Sequence, residues 1–212
     1  MYNYPHYKEH DRKKLVAFMQ ENPFVIMIGN DASGRLEASH IPVLVDDTGD
    51  EIVLTGHIAR KSDHHLAFVE NENVLVIFNG PHAYISGSWY TGNPSQASTW
   101  NYIAIHARGA IRFLDEHALI DILKRLSLHF ENGNTSSSTI YDNLPAEYLG
   151  KLVKAIVAFE IRVTALDNVF KLSQNRDEMS YDSIIAHLKN AGGDAGRIGL
   201  MMEERRSQVF EP

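Results

Sequence analysis

Apolar residues change their spacing along the chain, and each change marks the edge of a predicted element. Leu15, Val16, Phe18 and Met19 form a helical stripe behind Asp11, a natural N-cap, and Asn22-Pro23 ends it, so a lid-like helix is predicted from Asp11 to Gln20. From Phe24 to about Phe113 the pattern turns to short runs rich in β-branched and aromatic residues: Phe24–Ile28, Arg35–Leu44, Ile52–Ile58, Val74–Phe78, Ala83–Trp89 and Tyr102–Phe113. Asn30-Asp31-Ala32-Ser33-Gly34 and Asp46-Asp47-Thr48-Gly49-Asp50 lie between such runs and tolerate positive φ, as hairpin tips require. Ser62 to Glu70, with Leu66, Phe68 and Val69, is long enough for a short helix that carries the chain back across the sheet.

A second helix is predicted from Asp115, its N-cap, to Phe130, because Leu119, Ile122, Leu123 and Leu126 recur at helical spacing. Asn132 to Thr139 has almost nothing to bury and reads as a mobile surface loop. Pro145 opens a helix over Ala146–Ile156, after which Phe159, Ile161 and Val163 alternate with polar residues as in a half-exposed strand. Two short helices, Tyr181–Asn190 and Ala195–Arg206, follow around Gly192-Gly193. The pattern predicts the fold class α+β, an antiparallel sheet or barrel in a single domain over 1–212, with its core at about 23–175 and a helical appendage at about 178–208.

Composition narrows the function. The 212 residues are 44% apolar, enough for one good core, and contain no cysteine, which removes disulfides, thiolate zinc and cysteine nucleophiles. The first residues, Met1 to Lys14, are polar, and no apolar run approaches the length of a membrane span, so the expectation is a cytoplasmic protein without membrane contact. Twenty basic against twenty-seven acidic residues leave a formal charge of −7, which opposes general attraction to DNA. Eleven histidines show no metal-binding spacing, and no metal site is assigned.

Three groups of residues carry candidate chemistry. Lys171-Leu172-Ser173-Gln174-Asn175-Arg176 concentrates an ammonium, a hydroxyl, two amides and a guanidinium, groups suited to a phosphate dianion and to the polar rim of a flavin, although a solvated loop has the same composition. Ala38-Ser39-His40-Ile41-Pro42 and Gly56-His57-Ile58-Ala59-Arg60 each place a histidine on a predicted strand, and Arg60 near a strand end could grip phosphate; a lone strand histidine also serves as a hydrogen-bonded core residue. Tyr84-Ile85-Ser86-Gly87-Ser88-Trp89-Tyr90 and Thr99-Trp100-Asn101-Tyr102 hold both tryptophans, fit for the wall of a planar ligand, a dimer interface or an ordinary core.

Ser39-His40-Ile41-Pro42, Gly56-His57-Ile58-Ala59-Arg60, Tyr84-Ile85-Ser86, Ser88-Trp89-Tyr90, Thr99-Trp100-Asn101-Tyr102 and Lys171 to Arg176, in this order and over nearly the whole chain, resemble the PaiB-like family of FMN-binding negative transcriptional regulators. The resemblance implies a split barrel related to pyridoxamine-phosphate oxidase-type flavoproteins and a homodimer with flavin mononucleotide (FMN) in clefts between subunits. It implies cofactor contacts from Ser39, His40, His57, Arg60, Lys61, Ser86, Trp89, Tyr90, Trp100, Asn101, Lys171, Ser173, Gln174, Asn175 and Arg176. The chain departs from the family pattern at Gly87 and Ser98, where prolines are expected, at Lys61-Ser62-Asp63, where a small residue, Asn and Pro are expected, and at Asn168-Val169, which lacks a glycine.

No catalytic acid or base is assigned, since FMN would carry any redox chemistry. The competing readings are a flavin-dependent oxidoreductase or haem-handling enzyme on the same barrel, using His40, His57 or His106, and an interaction scaffold whose cleft is only a dimer seam. The two C-terminal helices invite comparison with a helix-turn-helix in which Arg197, Arg205 and Arg206 touch DNA, but Glu203 and Glu204 blunt that charge, and capping a dimer is the expected role.

Overall fold

Asp31 explains why the first hairpin closes where it does: its carboxylate accepts from the Ser33 and Arg35 backbone N–H groups, both at 2.9 Å, while Gly34 takes φ +85°. In this computed structural model, which describes residues 1–92 and 95–211, that tip joins β1 (Phe24–Asn30) to β2 (Leu36–Pro42) in register from Phe24↔Pro42 to Asn30↔Leu36. The other strands are β3 (Leu44–Asp47), β4 (Ile52–Ala59), β5 (Asn73–Ile85), β6 (Thr99–Phe113) and β7 (Ile156–Lys171); the helices are α1 (Arg12–Glu21), α2 (Asp63–Glu70), α3 (Glu116–Phe130), α4 (Ala146–Ala155), α5 (Glu178–Ala191) and α6 (Gly193–Phe210). The strands form one sheet in the order β2-β1-β5-β6-β7-β4-β3.

The caps read from sequence are in place: Lys13 N–H donates to the Asp11 carboxylate and Ala118 N–H to that of Asp115, both at 2.9 Å. Three predicted boundaries are corrected. Arg35–Leu44 is two strands, because the chain changes partner at Val43: Leu36–Pro42 pairs with β1, Val43 N–H makes the last bond of that ladder to the Pro23 carbonyl at 2.9 Å, and from Leu44 the chain pairs with β4. Val74–Phe78 and Ala83–Trp89 are one strand as far as Ile85, and Gly87–Trp89 coils into a 3-10 turn. The last strand runs to Lys171: its ends, 157–159 and 168–171, are buried on both faces, and the polar, more exposed middle hides their continuity.

The chain divides into two compact units: residues 1–15, 79–105 and 167–212 form one, and residues 16–78 and 106–166 the other. In the second unit the sheet curls until β2 lies against β4, although the two are not neighbours in the ladder; this is the split of the barrel. The approach is close enough that a Cβ on Gly56 would stand 3.0 Å from the Pro42 carbonyl. Helix α3 covers the outer face of β4 with Leu119, Ile122, Leu123 and Leu126, which pack with Leu44, Val153 and Ala158. In the first unit, α5 packs on α6 around Tyr181, whose buried hydroxyl donates to the Met202 carbonyl at 2.9 Å and has its pKa pushed up to about 12 by desolvation.

Candidate functional site

Strand alternation sends Ser39 inward and His40 outward on β2, while His57 stands on the outer side of β4. The β2/β4 seam is a cleft of about 400 Å³ lined by Ser39, His40, Pro42, His57, Ala59 and His64. Two polar atoms beside it, Ser39 Oγ and His57 Nδ1, are buried with no hydrogen-bond partner. Burial lowers the His57 pKa below its ordinary value, so the ring is neutral at pH 7. His64 carries no signal in the sequence, because its neighbours there are polar; only the curl of the sheet brings it to this cleft.

Arg60 and Lys61 follow β4 at the surface of the same unit. Arg60 gives one guanidinium nitrogen to the Ile156 carbonyl at 2.8 Å, and Lys61, at φ +61°, donates its backbone N–H to His65 Nδ1 at 3.0 Å. The departures at Lys61-Ser62-Asp63 keep the local chemistry: Ser62 caps α2 by accepting from His65 N–H, and Asp63 places an acid in the first turn.

The first unit holds a second cluster. Lys171 closes β7, is 9% exposed, and donates to Thr99 Oγ1 and to the Trp100 carbonyl, both at 2.5 Å. Burial, and then the neighbouring Arg176 charge, lower its pKa. Arg176 lies with its guanidinium carbon 4.2 Å from the Tyr90 ring centre and donates to Gln96 Oε1. Its Nε and the Tyr90 hydroxyl are buried without partners.

Within this cluster several predicted contacts are consumed by the fold. Ser173, at φ +61°, and Asn101 bond each other at 3.0 and 3.1 Å, both buried. Gln174 clamps its own turn, accepting from Leu172 N–H at 2.7 Å and donating to the Phe170 carbonyl at 2.6 Å. Ser86 caps the 3-10 turn through Ser88 N–H; Trp89 stacks on His187 at 4.8 Å and 11°, whereas Trp100, 53% exposed, meets Tyr84 and His82. Asn175 is exposed. The departures at Gly87 and Ser98 form a pair: Gly87 N–H donates to Ser98 Oγ at 2.9 Å, and a Cβ on Gly87 would stand 2.4 Å from the Gln96 carbonyl. Proline at either position removes the donor or the acceptor.

Residues 1–165 match the family described as "Putative FMN-binding domain". The chain is 32% identical over 206 residues, 97% of its length and 98% of the relative's, to the Protease synthase and sporulation protein PAI 2 of Bacillus subtilis. This chain belongs to the FMN-binding PaiB-like family. FMN is its cofactor. Among solved structures, this PaiB-like chain resembles the FAD and heme binding protein of Mycobacterium smegmatis (TM-score 0.55, 18% identity, 77% of this chain and 72% of that one) and the conserved hypothetical protein Rv2991 of Mycobacterium tuberculosis (TM-score 0.56, 10% identity, 81% and 91%). That likeness establishes the PaiB-like chain's split-barrel fold.

The residues present suit such a cofactor. A phosphorylated planar ring needs cations for its dianion and donors and acceptors at its rim, and Arg60, Lys61, Lys171 and Arg176 form no carboxylate salt bridge among the described residues. The orphaned Ser39 Oγ, His57 Nδ1, Tyr90 hydroxyl and Arg176 Nε are polar atoms short of a partner. No helix among the described residues is long and apolar enough to cross a membrane.

Proposed function

We propose that this chain is an FMN-loaded homodimer of the PaiB type that acts as a negative transcriptional regulator. The observation that carries the site assignment is the β2/β4 cleft, where Ser39 Oγ and His57 Nδ1 are desolvated with nothing to bond. Arg60 and Lys61 are assigned to the phosphate, Ser39, His40 and His57 to the rim of the ring, and Lys171, Asn175 and Arg176 to further polar contacts. Tyr90, Trp89 and Trp100 are assigned to aromatic walls. Ser86, Asn101, Ser173 and Gln174 act as positioning residues, because their side chains are occupied in holding the turns that carry the others. When bound, FMN supplies the electron-transfer chemistry; the protein binds and orients it.

Phe24 and Leu36, 65% and 73% exposed at opposite ends of the β1/β2 pair, are apolar side chains that a second copy lying along the pair would cover, which supports the homodimer. Regulation by DNA contact through α6 would have to break ion pairs: Arg205 pairs with Glu9, Arg206 with Asp182 and Glu178, and Arg197 with Asp194. Contact through a partner protein or another surface therefore has the better support.

The ultraviolet-visible spectrum of the purified protein tests the cofactor assignment: flavin bands are expected, with loading weakened by Arg60→Ala. A colourless protein that ignores added FMN overturns it. Salt-sensitive retardation of a promoter fragment tests the regulator. Turnover of reduced nicotinamide with a flavin substrate, or a Soret band on haem titration, would instead favour the enzyme reading, whose support is the histidine-lined cleft.

A further inference from the structure

We infer that the outer face of β4 carries a small-ligand pocket beneath α3, adjoining the β2/β4 cleft, which takes a neutral aromatic molecule of about two rings with one hydroxyl directed at His57. The inference deepens the flavin assignment and rests on it for what occupies the cleft next door.

The pocket has a volume of about 280 Å³, and its walls are Pro42, Leu123, Leu126 and Phe130, with His57 between them. A dry apolar cavity of about 150 Å³ admits benzene, so this one has room for two fused rings and little more. Pro42 and His57 line this pocket and the cleft alike, so a ligand here would lie beside whatever fills the seam. Phe130 is 47% exposed at the end of α3, so this apolar surface is not closed off as core.

Polar groups set the ligand's chemistry. The walls are carbon and would leave a charged ligand unsolvated. Glu131 stands on the lining, accepts from Thr139 Oγ1 at 2.8 Å, and has its pKa held low by hydrogen bonds from Thr139 and Ser137, so it carries negative charge there. That charge repels anions, the FMN phosphate included. Ser127 and Thr139 also stand on the lining, but the Ser127 hydroxyl is engaged with the Lys124 carbonyl and the Tyr141 N–H, and that of Thr139 with Glu131. The polar group left over is the His57 imidazole, which burial keeps neutral and which therefore offers one acceptor nitrogen to a hydroxyl. The α3 segment and the Thr139 loop thus discriminate by size, apolarity and charge, features the cofactor's phosphate end does not share.

Calorimetric titration of the FMN-loaded protein with 2-naphthol tests the pocket. Thr139→Trp, which sets an indole over the opening, is expected to raise Kd at least ~10-fold, and Phe130→Ala and His57→Phe about fivefold. Flavin absorbance per protein should be unchanged in Thr139→Trp and Phe130→Ala. The anionic analogue 2-naphthalenesulfonate should bind ~10-fold more weakly than 2-naphthol. Absence of binding heat, or equal affinity in wild type, Thr139→Trp and Phe130→Ala, overturns the pocket. The two readings separate cleanly. Naphthol binding without a flavin spectrum after FMN addition leaves the pocket standing and removes the cofactor assignment; a flavin spectrum without naphthol binding does the reverse.

Discussion

Arg60 and Lys61 stand at the exposed end of β4, where the Arg60 guanidinium donates to a backbone carbonyl and Lys61 bonds His65 through its backbone alone, whereas Lys171 is packed into its unit with a hydroxyl and a carbonyl, and Arg176 lies on the Tyr90 ring. Both segments carry two cations without carboxylate partners among the described residues, and by residue type alone Lys171–Arg176 is the richer in binding groups. The fold uses them differently. In the Lys171–Arg176 stretch, Ser173 and Gln174 spend their hydrogen bonds on Asn101 and on their own backbone, so much of the motif shapes the turn and only part of it remains for a ligand. A dense polar motif is therefore partly a folding device, and a sparse one on a strand end can offer more free binding capacity.

Mutations can break this comparison. Lys171→Met should cost about 2 kcal/mol of stability, because it strands a part-buried carbonyl and hydroxyl that now share one ammonium; a denaturant midpoint unchanged from wild type would show that Lys171 is held only for a ligand. Arg60→Ala should leave stability within about 0.5 kcal/mol yet raise the FMN Kd at least ~10-fold, read by quenching of flavin fluorescence; an equal loss of stability would erase the contrast.

Gln174→Ala is expected to destabilise by about 1 to 2 kcal/mol through its two lost hydrogen bonds, with Gln174→Glu retaining the acceptor and recovering part of that, as thermal melts would reveal. The smallest effect is in pH. His57 and His65 both have pKa values lowered by burial, so the unfolded chain binds protons that the folded one resists, and stability present at neutral pH falls as pH drops below 6.5. In His57→Phe the slope of melting temperature against pH between about 6.5 and 5 should be shallower than in wild type; an identical slope would assign the effect elsewhere.

Local signals made much of the fold legible. Asp11 and Asp115 cap helices as their positions imply, Asp31 and Gly34 build the first hairpin tip, and the stripe of α3 meets the core. The signals failed where a neighbour in space set the outcome: the chain switches partner from β1 to β4 at Val43, and β7 runs through a polar middle. The site divides the same way. His40 and His57 stand out as residue types, but His64 joins their cleft, and Phe130 and Leu126 meet His57, through contacts between elements remote in sequence.

By itself the sequence determined most element positions, because caps, turns and strand periodicity are written in residues a few positions apart, and the ordered segments from Ser39 to Arg176 carried the resemblance to the family and its cofactor class. Only the tertiary structure decided which polar groups are spent and which are left over. Hydrogen-bond satisfaction and desolvation depend on every atom within a few ångströms, and curling the sheet until β2 meets β4 sets that neighbourhood for Ser39 and His57.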